Sequence, residues 1–401
     1  MVTHCARYFN TVPVTAGWRK AREIVVAENS CKKRYWRAVG LLLCLLLLQG
    51  CDDSSVTSQS CDPVDGIAFI CGFEGPEDLV PTPDNAGLLV SELGSLVAAG
   101  GVEEGDSSLH GRISFVDLAT RERRVLFNAD SVNDFRRPNP IWGDPSCEQI
   151  PGFAPHGIDL VKRGQRYQLL VVNHAGRDSI EFFELLNSGG EWQLMWQGCV
   201  EAPDDGSFND VAGMRKGFYT TRFGERNPGV GAFLAMLTGA ETGHVWRWTL
   251  QDGFIEVPGS RGSMPNGVLV SEDGRQLFIN YYGESKLSAM SIGGEERFAV
   301  ALEGPDNSNW DAGRKKLLVT GREVSMFKML RCIADIGLNC PLSFEVVEVN
   351  VANGERRTLY ASDDGKPFGA ATAATRVGDK LYIGSFAGRR ILVAPISNNP
   401  G

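Results

Sequence analysis

The chain has 401 residues, of which 43% are hydrophobic and 22% charged, with a formal net charge of −9. That is enough apolar material for one large β-rich domain or two ordinary ones, and it excludes a disordered chain. Residues 1–50 carry eight Lys/Arg against two Asp/Glu, so removing their +6 leaves about −15 on the remainder, an acidic body that we exclude as a partner of nucleic acid.

In chain order, the first feature is the run CKKRYWRAVGLLLCLLLLQGCDDSS, which sets Lys32, Lys33, Arg34 and Arg37 ahead of an apolar stretch from Ala38 to Leu48. The stretch is short for a bilayer span and suits a secretory h-region. Leu48-Gln49-Gly50-Cys51 is similar to a lipobox, with a small residue before the cleavage point and a cysteine to be acylated. We therefore expect 1–50 to be a cleaved lipoprotein signal peptide, 51–70 a linker and 71–401 the folded body. An ordinary signal peptide or a short membrane anchor is the alternative, and the stretch before Lys32 is long for a leader. Asp52 resembles the inner-membrane retention signal of some Gram-negative bacteria, which implies an exported, lipid-anchored protein facing the periplasm.

Export changes the reading of the ten cysteines. Cys5, Cys31 and Cys44 fall in the leader and Cys51 at the lipobox, which leaves an even number in an oxidising compartment. Short separations point to Cys61 with Cys71 and Cys332 with Cys340, leaving Cys147 and Cys199 for each other, as one of several possible connectivities. No CxxC spacing argues for a metal cluster instead.

Six stretches repeat one pattern: a polar turn, an alternating apolar run, then a second strand rich in aromatic or β-branched residues. They are GPEDLVPTPDNAGLLVSELG, APHGIDLVKRGQRYQLLVVNHAGR, SFNDVAGMRKGFYTTRF, MPNGVLVSEDGRQLFINYYG, GPDNSNWDAGRKKLLVTGRE and PFGAATAATRVGDKLYIGSF. Their spacing fits four-stranded blades with loop insertions and predicts an all-β, six-bladed β-propeller. A pair of β-sandwiches is the alternative. NPGVGAFLAMLTGAETGHVWRW interrupts the third unit with helix formers from about Val230 to Leu237, which predicts a short helical insertion covering a site or resting on a membrane.

In a propeller the innermost strands converge on a central channel, so the polar starts of separate units can meet. Glu77, Asn209, Asn266 and Asp306 hold equivalent offsets in units one, three, four and five. They form an oxygen-only set, and with Asn307 and water they suit a hard cation such as Ca²⁺, which takes six to eight oxygens. The alternative is that each is a turn former. His156 begins the innermost strand of unit two and His174 ends the next, so a hairpin brings the two imidazoles together. The competing reading makes each a hydrogen-bonding core histidine.

These residues resemble the paraoxonase/arylesterase family of six-bladed, calcium-dependent lactonases, and more distantly the gluconolactonase and senescence-marker propellers. The matching motifs are GPEDL, PHGI, VVNH, FNDV, PNGVLVSEDGR and PDNS, in family order over about residues 70–395. The resemblance implies two calcium ions. Glu77, Asn209, Asn266, Asp306 and Asn307 would hold a catalytic one, and Asp78, Asp210 and the Ile158 carbonyl a buried structural one. It also matches His156 and His174 to the family's dyad, with His156 activating water and His174 tuning it. The activity implied is hydrolysis of small-molecule lactones and aryl esters, and no GxSxG elbow argues for a serine hydrolase.

Two departures stand out. The animal enzymes join an N-terminal strand to the last blade by a disulfide, but no cysteine follows Cys340, so closure is expected to rely on strand pairing. Where the family commonly places another active-site histidine this chain reads TTRFGER, residues 220–226, which makes Arg222 and Arg226 candidates to face the pocket and favour an anionic substrate. The remaining alternatives are a sugar-lactone hydrolase of gluconolactonase type and a non-catalytic, calcium-stabilised binding propeller.

Overall fold

The computed structural model describes residues 60–94, 111–128, 130–131, 142–148, 152–227, 238–325 and 340–396, with positions 231, 235 and 328 between them. The expected leader, Cys51 and Cys332 lie outside the described residues.

Each repeat folds into one antiparallel sheet. β1 (Ala68–Cys71) precedes the first blade, which is β2 (Pro76–Pro81), β3 (Gly87–Glu92), β4 (Arg112–Asp117) and β5 (Arg123–Asn128). The second blade is β6 (Trp142–Gly143), β7 (Pro155–Arg163), β8 (Arg166–Asn173), β9 (Ser179–Ser188) and β10 (Glu191–Glu201), with β6 added parallel to β10 at the outer edge. The third is β11 (Gly206–Met214), β12 (Gly217–Glu225), β13 (His244–Thr249) and β14 (Gly253–Glu256). The fourth is β15 (Pro265–Val270), β16 (Gln276–Tyr281), β17 (Lys286–Ser291) and β18 (Glu296–Ala301). The fifth is β19 (Pro305–Trp310), β20 (Lys316–Arg322), β21 (Phe344–Asn350) and β22 (Arg356–Ser362). The last is β23 (Ala371–Val377), β24 (Lys380–Ser385) and β25 (Arg390–Pro395), completed by β1 pairing antiparallel to β25 from Ala68 opposite Val393 to Cys71 opposite Arg390. The ring therefore closes by strand pairing, through a strand whose first three residues precede position 71.

The innermost strands β2, β7, β11, β15, β19 and β23 neighbour one another in that order, and β23 returns to β2. The second strands read as almost continuous apolar runs, such as LLVV in β8, because a strand between two blades is covered on both faces. Six separate apolar layers result, one in each gap between blades. Leu89 and Phe127 meet Ile158 and Phe183 between the first two blades, and Phe278 and Val300 meet Leu317 and Val347 between the fourth and fifth. Each fully buried Leu or Phe contributes about 1.5–3 kcal/mol.

Gly231, Ala235 and Thr238 are helical, in the insertion between β12 and β13. The disulfides Cys61–Cys71 and Cys147–Cys199 are formed as expected. Cys340 is also disulfide-bonded. Among the described residues no helix is long and apolar enough to cross a membrane.

Candidate functional site

Every innermost strand carries a β-bulge at its start. The register with the second strand slips after Pro76, Pro155, Phe208, Pro265, Pro305 and Ala371, by one extra residue on the inner strand in each blade. A bulge re-aims the side chain next to it. The residues that follow these six positions are Glu77, His156, Asn209, Asn266, Asp306 and Thr372, and all of them line one cavity of about 320 Å³. A second ring of six comes from the second strands. The residue after each register partner of the first ring's preceding position is Leu93, His174, Phe223, Tyr282, Arg322 or Phe386, and these line the same cavity.

The first ring is rich in oxygen that lacks a partner. Glu77 Oε2, Asn209 Oδ1, Asn266 Oδ1, Asp306 Oδ2 and Asn307 Oδ1 are all buried without a hydrogen bond. Asn307 lies behind the ring and donates Nδ2–H to Glu77 Oε1 at 2.6 Å. Asp306 Oδ2 does meet the Arg322 guanidinium as an ion pair, although that contact makes no hydrogen bond. Buried polar atoms are almost always satisfied. Five buried oxygens without a hydrogen bond, two from carboxylates and three from amides, fit a hard cation better than an empty polar pocket. Among the described residues no three His, Cys, Asp or Glu side chains gather as a metal cluster, which is consistent with a set built largely from asparagine.

A second polar layer lies one residue further along the inner strands. Asp78 accepts N–H bonds from Leu79 at 2.8 Å and, across the blade gap, from Ile158 at 2.9 Å. Asp210 repeats the pattern with Val211 at 2.7 Å and Val268 at 2.8 Å. Gly157 makes room between them, since a Cβ there would fall 2.4 Å from Asp210 Oδ1. Burial and the neighbouring Glu77 push Asp78 up to about 7, and burial together with Asp78 raises Asp210 well above the usual carboxylate range. Two buried, mutually repelling carboxylates either retain a proton or surround a cation.

The histidines are joined in a longer chain. His156 Nδ1 and His174 Nε2 lie 2.9 Å apart, and His174 Nδ1 lies 2.8 Å from Asp178 Oδ1. Asp178 Oδ2 in turn is 3.3 Å from Arg226 Nε, while Arg226 Nη2 donates to the His174 carbonyl at 2.8 Å. An ionised carboxylate accepts only, so the His174 proton sits on Nδ1 and its Nε2 must accept from His156 Nδ1–H. In a neutral His156 the lone pair is then at Nε2, 3.4 Å from Glu77 Oε1. Burial disfavours the charged form of His156, but the charge and hydrogen bonding of Glu77, with Asp78 and Asp178 behind, carry its pKa above the ordinary value.

Neither arginine of the 220–226 segment lines the cavity. Phe223 holds the second-ring place of its blade, so alternation turns Arg222 aside, onto Asp204 at 3.0 Å and the Thr242 carbonyl. The cationic lining residue is Arg322. Thr372, Arg322 and Asp178 were not singled out as site residues by sequence reasoning, and Arg226, read there as a pocket candidate, instead pairs with Asp178 behind the histidines. A larger cavity, about 1010 Å³, opens at the opposite ends of the strands beside Arg163, Met214 and Trp248, and contains none of the residues singled out from the sequence.

The strand order and the two rings define the class: a six-bladed β-propeller with an oxygen-rich site at one mouth of its channel. No protein-family model matches the chain, and no curated protein matches it. Solved structures similar to it include the luciferin-regenerating enzyme, at TM-score 0.48 and 13% identity over 85% of this chain and 98% of that one. A gluconolactonase from Xanthomonas campestris is similar at TM-score 0.47 and 15% identity, over 82% and 89%. Virginiamycin B lyase from Staphylococcus aureus is similar at TM-score 0.45 and 11% identity, over 82% and 99%. Likeness at this level assigns no activity to the chain.

Proposed function

We propose that the chain is a calcium-dependent hydrolase of lactones and aryl esters, of the paraoxonase-like kind its motifs resemble. One observation carries the reading: four first-ring residues with oxygens that make no hydrogen bond line one cavity together with His156, whose Nδ1 is engaged by His174 and whose Nε2 is turned toward Glu77. In this reading Glu77, Asn209, Asn266, Asp306 and Asn307 hold a catalytic calcium, and Asp78, Asp210 and the Ile158 carbonyl a structural one. A bound calcium supplies Lewis-acid polarisation of the ester carbonyl and offsets the charge that develops on its oxygen.

The chain's own residues do the rest. With Glu77 engaged as a ligand its pull on His156 weakens, and the imidazole returns toward the neutral form near pH 7. His156 Nε2 then takes a proton from water as its oxygen adds to the ester carbonyl, His174 and Asp178 stabilise the imidazolium that forms, and the acyl C–O bond breaks as the imidazolium returns the proton to the leaving alkoxide. Leu93, Phe223, Tyr282 and Phe386 give the cavity largely apolar walls. Such walls favour an alkyl- or aryl-substituted ring over the polyhydroxylated ring of a sugar lactone. The test is a panel of γ-lactones, δ-lactones, acyl-homoserine lactones, gluconolactone and phenyl acetate, with calcium and with chelator. We expect calcium-dependent turnover of the lipophilic lactones; turnover of gluconolactone alone would replace this reading with the sugar-lactone one, and no turnover of any would leave a binding propeller.

We also propose that Cys51 anchors the protein to a bacterial membrane, facing the periplasm. Cys51→Ala is expected to abolish lipid labelling in an expressing bacterium and to release or misprocess the protein. Undiminished labelling would refute the anchor.

A further inference from the structure

We infer that Arg322 is an anion-binding, specificity-determining residue and that the preferred substrate is a lactone bearing a carboxylate on its ring. The inference rests on the calcium-hydrolase reading of the same cavity and goes beyond it by naming the charge of the substrate.

Arg322 is a cation in a place that otherwise holds apolar groups. Among the second-ring residues Leu93, Phe223, Tyr282 and Phe386 are apolar or aromatic, His174 belongs to the histidine chain, and Arg322 alone is a permanent cation. Its residue is 8% exposed. Its guanidinium lies 5.0 Å from the Tyr282 ring centroid and 5.1 Å from that of Phe386, so two aromatic faces hold it in place. Its Nε is buried without a hydrogen bond, its Nη1 donates to the Ala371 carbonyl at 3.5 Å, and among the described residues its ion pair is with Asp306.

The charge count points to a missing anion. Glu77 and Asp306 are the two carboxylates of the first ring, and together they balance one divalent cation. Once Asp306 serves that cation, Arg322 keeps its charge and loses its counter-ion inside a cavity where an unpaired charge is costly. An anion brought by the ligand restores the balance. Arg322 belongs to the fifth blade and the histidines to the second, which are opposite each other in the sixfold order. A carboxylate held at Arg322 therefore leaves the other end of a small ring toward His156. Guanidinium to carboxylate is the strong, two-pronged form of such a contact.

The test is a binding titration with 3-oxocyclopentane-1-carboxylate and its neutral carboxamide, carbocyclic mimics that present no lactone bond to hydrolyse. On calcium-loaded wild type we expect the carboxylate to bind about 10-fold or more tightly than the carboxamide. In Arg322→Gln that ratio should fall to about one, and Arg322→Lys, which keeps the charge without the fork, should be intermediate. Chelator should also collapse the ratio in the wild type, because Arg322 returns to Asp306. Thermal midpoints of both variants check that they fold. Equal affinity for the two mimics, no binding of either, or a ratio unchanged in a folded Arg322→Gln would each overturn the inference. Its failure is distinguishable from that of the hydrolase reading: turnover of neutral lactones with equal mimic affinities sinks only the anion site, whereas an Arg322-dependent ratio with no lactone turned over sinks only the hydrolase.

Discussion

Which nitrogen of His156 is free to take a proton is decided two hydrogen bonds away, at Asp178. The carboxylate fixes the His174 proton on Nδ1, and that in turn fixes the His156 proton on Nδ1. His156→Gln is expected to lose much of the roughly 10²- to 10⁴-fold that general-base catalysis supplies, while calcium affinity is kept. His174→Gln should cost less, since it orients rather than accepts. Asp178 also raises the pKa of His156 through its charge, so Asp178→Asn should move the acid limb of the lactone pH–rate profile to lower pH. An unshifted acid limb, or full activity in His156→Gln, would return the histidines to core packing. The two histidines were legible because one begins a strand and the other closes the next, each in a recognisable motif. Asp178 was not, nor was its pairing with Arg226, because one precedes β9 and the other follows β12, and only the folded blades bring these loop positions together.

At the scale of the strand, the site is one bulge repeated six times. Four of the six bulges follow a proline, in Pro-Glu, Pro-His, Pro-Asn and Pro-Asp, so those first-ring residues could be read directly as offsets in the repeats. Asn209 follows Phe208 rather than a proline and was found by its equivalent offset in the third unit. Thr372 follows Ala371 in an alanine-rich run and carries no such signal. Arg322 was missed for a different reason: the second ring sits on apolar strands, and its membership appears only when the register of inner and second strands is known. The bulge also brings adjacent inner strands close together at Gly157, whose φ lies outside the left-handed region. Gly157→Ala would set a Cβ 2.7 Å from the Asp210 Cα and 2.8 Å from the Asn209 carbonyl oxygen, backbone atoms that cannot rotate away. Overpacking of this kind costs about 1–3 kcal/mol. We expect a lower thermal midpoint and a smaller gain on adding calcium, measured against Gly224→Ala, where the nearest atom is 3.9 Å away. Matching midpoints and calcium gains in the two variants would remove the close approach from the account.

At the scale of the whole molecule, six apolar layers stand between the blades, and the axis where the blades meet is left to polar side chains. The repeat count made this architecture legible, whereas the electrostatic cost at the axis depends on burial, which spacing does not give. Asp78 is pushed from 3.8 up to about 7 by burial and by Glu77, and Asp210 moves the same way. In the metal-free protein the native pair therefore binds more protons than the unfolded chain between about pH 4 and about pH 7, so stability falls as pH rises through that window. Calcium reverses the requirement, because its ligands must be ionised, and it stabilises the native state more as pH rises. Thermal midpoints measured from about pH 5 to about pH 8 should decline with chelator and should hold or climb with saturating calcium. Asp78→Asn should flatten the chelator curve and shrink the calcium increment. His156 also titrates differently once Glu77 meets the ion, so the same pair of curves in His156→Gln isolates the carboxylates. Parallel curves would show that the pair neither retains the proton nor meets the ion.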